Sequence, residues 1–293
     1  MQPNILIKLV DVKKQFKNKE VLHQINFILE KGQLHGLIGP NGSGKTTMIK
    51  SLLNVLNINH GEVYIAEQIK GKIGYVPEVA NFKKGLTCQQ YLIMVGLIKG
   101  MSYQAAKTRT WELLKELDLT AVAKKNPNKF SSGLKKKLLI ANILFTDCDV
   151  IILDEPTDNL DPDMRLWIIK LIKKLNAEGK TILICTHILS EVEELLDSLT
   201  IIKEGKILYS GTRPKLINPV LEISFLDSTS EKIFQNYAQQ NNLAYQKIND
   251  TCIITLSEPK QIFLEKLYQL KIKPSKLKEH HETLYDLYNK YIK

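Results

Sequence analysis

Residues 39–47 of this 293-residue chain bring together the types that phosphate chemistry needs. Gly39, Pro40, Asn41, Gly42, Ser43, Gly44, Lys45 and Thr46 fill the pattern G-x-x-x-x-G-K-[ST], with Thr47 leading on into helical spacing. The glycines let backbone wrap closely round an anion with its N–H groups turned inward. A helix opening at Lys45 aims its unpaired N–H groups and positive end at the same point. Lys45 adds a full charge, worth ~4 kcal/mol at ~4 Å and an effective dielectric of ~20, against roughly 0.3–2 kcal/mol for the helix end. Lys45→Ala is therefore expected to hurt more than any single glycine change. Thr46 supplies a hydroxyl of the kind that ligates Mg²⁺. A turn that merely joins strand to helix would not need Lys-Thr in this register. The stretch implies a nucleoside triphosphate site.

Other stretches carry chemistry at the ends of apolar runs. Val150–Leu153 leads into adjacent carboxylates, Asp154 and Glu155, whose desolvation calls for a compensating cation. Thr181–Cys185 leads into Thr186-His187. Phe130-Ser131-Ser132-Gly133-Leu134 opens a helix with Ser131 as N-cap, a second candidate anion site.

The elements that position these residues follow from periodicity. Ile5–Phe16 and Val21–Leu29 read as an antiparallel pair forming a β edge ahead of the strand Leu34–Ile38. Phe16 either stacks on a nucleotide base, at roughly 1–3 kcal/mol, or fills a core position. Gly61–Ala66 and Lys72–Val76 read as strands, the second followed by Pro77-Glu78. Thr87 to Gln90 is a capping box opening a helix, and Tyr103–Leu117 is another, so that residues 85–145 form a helical insertion. A hairpin turns at Glu204-Gly205 between Leu199 and Tyr209. Strands alternating with helices, each motif at a strand's carboxyl end, predict one α/β sheet with its ligand at that edge.

Composition narrows the classes. The 44% hydrophobic and 25% charged content is that of a soluble globular chain. Cys88, Cys148, Cys185 and Cys252 lie far apart with no C-x-x-C pair, and are expected to be reduced, buried thiols of a cytosolic protein. No signal peptide is expected, and the longest apolar run, 91–98, is short of the ~18 residues of a spanning helix. The net charge of +10 is almost all lysine, scattered in short groups such as Lys135-Lys136-Lys137 with no interleaved aromatics, and reads as solvated faces. Nucleic acid is accordingly disfavoured as a partner.

The glycine-rich loop, Phe-Ser-Ser-Gly-Leu at 130–134, Leu-Asp-Glu-Pro-Thr at 153–157, Asn-Leu-Asp-Pro at 159–162 and Thr-His at 186–187 together resemble the ATPase subunit of ABC transporters. The resemblance covers about residues 4–215 and is greatest to bacterial drug- and peptide-exporter or self-immunity ATPases. It implies a P-loop NTPase fold with ATP and Mg²⁺. Asp154 would join Thr46 in holding Mg²⁺, partly through water, and Glu155 would orient or deprotonate the attacking water, worth ~10²–10⁴ in rate. His187 would bond the γ-phosphate. Ser131, Ser132 and Gly133, with Asp161, would face ATP held by a second ATPase subunit. Two positions depart from the family pattern: Glu78 stands where glutamine is usual, as a further candidate for Mg²⁺, and Ser132 replaces a glycine. No Asn-Lys-x-Asp motif argues for GTP.

The resemblance further implies a homodimer that powers a separate transmembrane permease, with drug, peptide antibiotic or similar amphipathic cargo, from the inner face of the cell membrane. The alternatives are a soluble ATPase of the same type acting on nucleic acid or ribosomes, and a nucleotide-dependent regulator with weakened hydrolysis. Beyond an ATPase domain at 1–215, residues 219–293 read as an accessory domain in the order β-α-β-β-α-β, a ferredoxin-like unit. Its helices are expected at Ser230–Asn241 and Ser257–Leu270, its hairpin turns at Asn249-Asp250, and its last strand is Ile272–Leu277. A closing helix follows at Glu282–Ile292.

Overall fold

The computed structural model describes residues 4–212, 219–241, 243, 245–248, 251–256 and 260–281. The expected turn at Asn249-Asp250, the opening of the helix at Ser257 and the closing helix at Glu282–Ile292 lie outside the described residues. The chain divides into two compact units, Met1–Arg213 and Pro214–Lys293.

In the first unit, β1 (Ile5–Phe16), β2 (Lys19–Glu30) and β4 (His60–Ile65) are antiparallel and form a sheet of their own, ordered β2-β1-β4. They are not the margin of a single α/β sheet, as strand alternation alone suggested. The main sheet runs β5 (Ile73–Val76), β6 (Val150–Asp154), β7 (Thr181–Thr186), β3 (Leu34–Ile38), β8 (Ser198–Lys203), β9 (Lys206–Thr212) in space. All its pairs are parallel except β8 with β9. Every residue of β3, β6 and β7 is buried, which is why these strands are largely apolar. The helix α1 (Lys45–Leu52) contributes Met48, Ile49 and Leu52 to one core with Leu6, Ile7 and Leu9 of β1, Val150 and Ile152 of β6, and Leu183 of β7. The two sheets are thus joined through the helix that follows the glycine-rich loop.

The insertion holds α2 (Cys88–Ile98), α3 (Tyr103–Glu116) and α4 (Ser132–Leu144). Thr87 and Gln90 cap α2 reciprocally, and the Arg109 guanidinium ties α3 to the Leu144 carbonyl at 3.2 Å. The helix α5 (Pro162–Ala177) was not anticipated, although its signals are plain. Asp161 caps it, Pro162 opens it, and Met164, Ile168, Ile172 and Leu175 repeat on one buried face. His187 is followed by two short 3₁₀ turns, Leu189–Glu191 and Glu193–Leu195, ahead of β8 at Ser198.

The second unit runs β10 (Pro219–Phe225), α6 (Ser228–Gln240), β11 (Tyr245–Ile248), β12 (Thr251–Thr255), α7 (Lys260–Gln269), β13 (Pro274–His281). Its sheet is ordered β11-β12-β10-β13 with every pair antiparallel, the split βαβ arrangement. Leu221, Ile223, Phe234, Cys252, Ile254 and Phe263 form its core. The last strand begins two residues later than expected and runs on through His281.

At the centre of the main sheet β3 carries His35, only 3% exposed. Its Nδ1 is 2.7 Å from the Ser198 Oγ and its Nε2 2.9 Å from the Thr200 Oγ1, both on the neighbouring β8. Burial lowers its pKa from 6.5 to about 4. The unfolded chain therefore takes up a proton near pH 6.5 that the folded chain refuses until about 4, so stability present above 6.5 is lost as pH falls through that window. The loss amounts to about 3 kcal/mol at 1.36 kcal/mol per unit. Denaturant unfolding at pH 7 and pH 4 is expected to show this loss, and a His35→Gln variant to show a pH dependence smaller by that amount.

Candidate functional site

The glycine-rich loop leaves the carboxyl end of β3 and is locked from below. An added Cβ on Gly39 would stand 2.2 Å from the Ile202 carbonyl of β8, so packing against the sheet excludes any side chain there. The Glu204-Gly205 turn, with φ of 48° and 72°, is a two-residue hairpin turn of the type that left-handed residues allow. The Gly205 N–H donates to the Ser43 carbonyl at 2.9 Å, and its own carbonyl accepts from His23 N–H at 2.8 Å. A Cβ on Gly205 would lie 2.1 Å from the Val21 carbonyl. The hairpin thus braces the loop against β2.

Above the loop the predicted residues converge. The Thr46 hydroxyl donates to Asp154 Oδ2 at 3.1 Å, and the Tyr75 phenol donates to the same oxygen at 3.3 Å. Asp154 Oδ1 is buried without a hydrogen-bond partner. Lys45 Nζ donates to the carbonyls of Gly39 at 2.8 Å and Pro40 at 3.2 Å, and lies 3.5 Å from Glu155 Oε1. Glu155 holds a left-handed backbone, φ 44°, with its N–H on the Cys185 carbonyl at 2.9 Å. Its Oε2 meets His187 Nδ1 at 2.9 Å. The expected phosphate-facing histidine is thus tied first to Glu155. Burial, then the Asp154 carboxylate, push the Tyr75 phenol and the Cys185 thiol well above their ordinary values. Those shifts mark a buried region already rich in negative charge.

The residues present fit Mg²⁺. A buried carboxylate oxygen lacks a partner, its twin is fixed by two hydroxyls, and the donors are the hard oxygens that this ion takes. Among the described residues no group of three or more His, Cys, Asp or Glu forms a metal cluster, so Thr46 with Asp154 leaves most of the coordination to water and phosphate.

Other predicted residues lie apart from this centre. Phe16 is 44% exposed at the end of β1, with Lys14 Nζ 4.9 Å from its ring centroid, and so is not a core residue. Ser131 caps α4, its hydroxyl accepting from Leu134 N–H at 3.4 Å; Ser132 donates to the Asn159 carbonyl at 2.8 Å; Gly133 follows, half-buried. Asp161 accepts from Met164 N–H at 2.9 Å as the cap of α5. Glu78 lines a cleft of about 230 Å³ with Ser132, Lys136, Asp158 and Asn159. Tyr75 and Lys136 were missed by sequence reasoning. Lys136, read within a solvated lysine group, is 5% exposed, because its place on α4 falls on the face that also buries Leu139, Ile140 and Ile143.

The ABC transporter family model matches residues 22–158. A putative ABC transporter ATP-binding protein of Mycoplasma pneumoniae is 37% identical over 216 residues, covering 70% of this chain and 66% of that one. The Nod factor export ATP-binding protein I of Burkholderia lata is 36% identical over 215 residues, 71% of each chain. The linearmycin resistance ATP-binding protein LnrL of Bacillus subtilis is 32% identical, over 72% of this chain and 70% of that one. The chain thus matches about two thirds of the length of these relatives. Among solved structures, a dimeric bacterial ABC transporter cassette aligns at TM-score 0.64 and 28% identity, over 71% of this chain and 99% of that one.

The backbone clash at Gly39 revises the expected ranking of substitutions: Gly39→Ala should disable the loop as fully as Lys45→Ala. Gly205→Ala tests the brace. A left-handed alanine costs roughly 1–2 kcal/mol and overpacking typically 1–3 kcal/mol more. The variant is expected to unfold about 2–5 kcal/mol more easily in its first unit and to bind nucleotide more weakly. Denaturant unfolding and a fluorescent-nucleotide titration check both.

Proposed function

The chain belongs to the ATP-binding subunits of ABC transporters, an ATP-hydrolysing family, and on that premise we propose that it is the motor of an exporter. Two copies close on ATP and drive a separate membrane-spanning permease. The observation that carries this reading is the convergence of Lys45, Thr46, Asp154, Glu155 and His187 at the carboxyl edge of three buried parallel strands.

In this reading the loop N–H groups and Lys45 hold the triphosphate, and Phe16 stacks on the base. An incoming phosphate competes with Glu155 for Lys45, which releases the carboxylate to take a proton from the attacking water. Mg²⁺, when bound, would supply neutralisation of the triphosphate's charge. Thr46 and Asp154 are the residues to hold it. A neutral imidazole donates from one ring nitrogen only, so His187 donates to Glu155 and a γ-phosphate together only when protonated. Ser131 and Gly133 at the start of α4 face the ATP of the other copy, with Ser132 and Asp161 beside that seam. The dimeric cassette among the structural relatives supports the pairing.

Among the described residues no helix is long and apolar enough to cross a membrane; in this reading the spanning part belongs to the permease, and the motor sits on its inner face. The relatives named for Nod factor export and linearmycin resistance support outward transport of a small molecule. Residues 1–215 would be the motor and 219–293 an accessory domain.

Glu155→Gln keeps the shape and loses the base. It is expected to bind ATP, lose turnover by about 10²-fold or more, and elute as a dimer with ATP and Mg²⁺ in size-exclusion chromatography. Undiminished hydrolysis would overturn the assignment of the base.

A further inference from the structure

We propose that Lys136 is a positioning residue that ties the start of α4 to the same subunit's Glu155, so that engagement of one ATP site sets the catalytic carboxylate of the other. The inference rests on the ATP-bridged pairing proposed above.

Lys136 follows Gly133 by three residues, about one turn along α4, so its stem moves with the serine-tipped end of the helix. Its Nζ donates to the Glu155 carbonyl at 3.2 Å and reaches the Pro77 carbonyl at 3.5 Å. A buried ammonium is costly unless compensated. Compensation comes from those two carbonyls and from the carboxylates of Asp154, Asp158, Glu78 and Glu155, all of which favour its charged form against the burial that lowers its pKa. The unusual Glu78 thus supplies charge to a lysine in the same cleft, beyond any part it plays at Mg²⁺.

The residue that Lys136 grips is held in an uncommon conformation. Glu155 sits at φ 44°, where a residue other than glycine needs its surroundings to hold it. Its N–H donates to the Cys185 carbonyl of β7, and its carbonyl accepts from Lys136 of α4 at 3.2 Å and more weakly from the Asp158 N–H at 3.4 Å. A second tie runs in parallel, from the Ser132 hydroxyl to the Asn159 carbonyl four residues beyond Glu155. A shift of α4 towards a partner's phosphate therefore pulls on the segment that carries the base. A displacement of about 1 Å at a catalytic group can change rate by roughly 10²-fold.

The test uses the full chain with Lys136→Met, which keeps length without the donor, and Lys136→Arg, which restores it. Lys136→Met is expected to lower kcat roughly ten-fold with KM for ATP changed less than about two-fold. The Hill coefficient for ATP should fall from roughly two, the number of sites, towards one. Lys136→Arg should recover most of both. Unchanged kcat and Hill coefficient in Lys136→Met, or equal impairment of the Met and Arg variants, would overturn the assignment, the latter showing that the site needs packing and not a donor. If Lys136→Met shows no cooperative melting, Lys136→Leu, likewise without a donor, is read by the same criteria. Failure of the underlying pairing is seen separately: Glu155→Gln alone would then stay monomeric with ATP and Mg²⁺, whatever the Lys136 variants do.

Discussion

Two carboxylates side by side at the end of a buried apolar strand constrain everything around them. Asp154 and Glu155 cannot keep their charge at that depth without partners, and the surrounding elements are arranged to supply them. The Thr46 hydroxyl arrives on α1, the Tyr75 phenol on β5, the lysine ends from the glycine-rich loop and α4, and an imidazole from the end of β7. Even so one oxygen of Asp154 is left over, which is the mark of a pocket made to share its charge with a cation that the chain does not provide. A fully satisfied pair would have made a stable core and no motor.

Much of this was legible in the amino-acid order because buried parallel strands leave a simple signature. Val150–Leu153 and Ile182–Cys185 are apolar without interruption, and whatever follows them must emerge at the ligand edge. The glycine-rich loop was readable for the same reason, as a pattern whose spacing only one local geometry satisfies. The accessory unit could be ordered from alternating periods alone, with its boundaries displaced by a few residues where Ile272 packs into the core ahead of its strand.

What escaped notice depends on contacts between segments distant in sequence. Lysines at 135–137 look alike, yet only Lys136 falls on the inward face of α4, and that face is fixed by how the helix packs on β5. Tyr75 looks like one aromatic in a short strand until β5 is paired beside β6, where its hydroxyl meets a carboxylate on the neighbouring strand's end. The separation of β1, β2 and β4 into their own sheet was hidden because antiparallel strands read the same whether they edge one sheet or make another. Only their common core with α1 distinguishes the cases.

The brace at Gly205 bears on how the protein is born. Residues 39–46 leave the ribosome early, but their floor is supplied by Ile202 and by a turn made after every other catalytic motif. A nascent chain that has displayed both carboxylates and the histidine still lacks the contact that shapes its phosphate cradle. Nucleotide therefore meets a fully braced cradle only once residue 205 has emerged, long after the loop's own residues have been made.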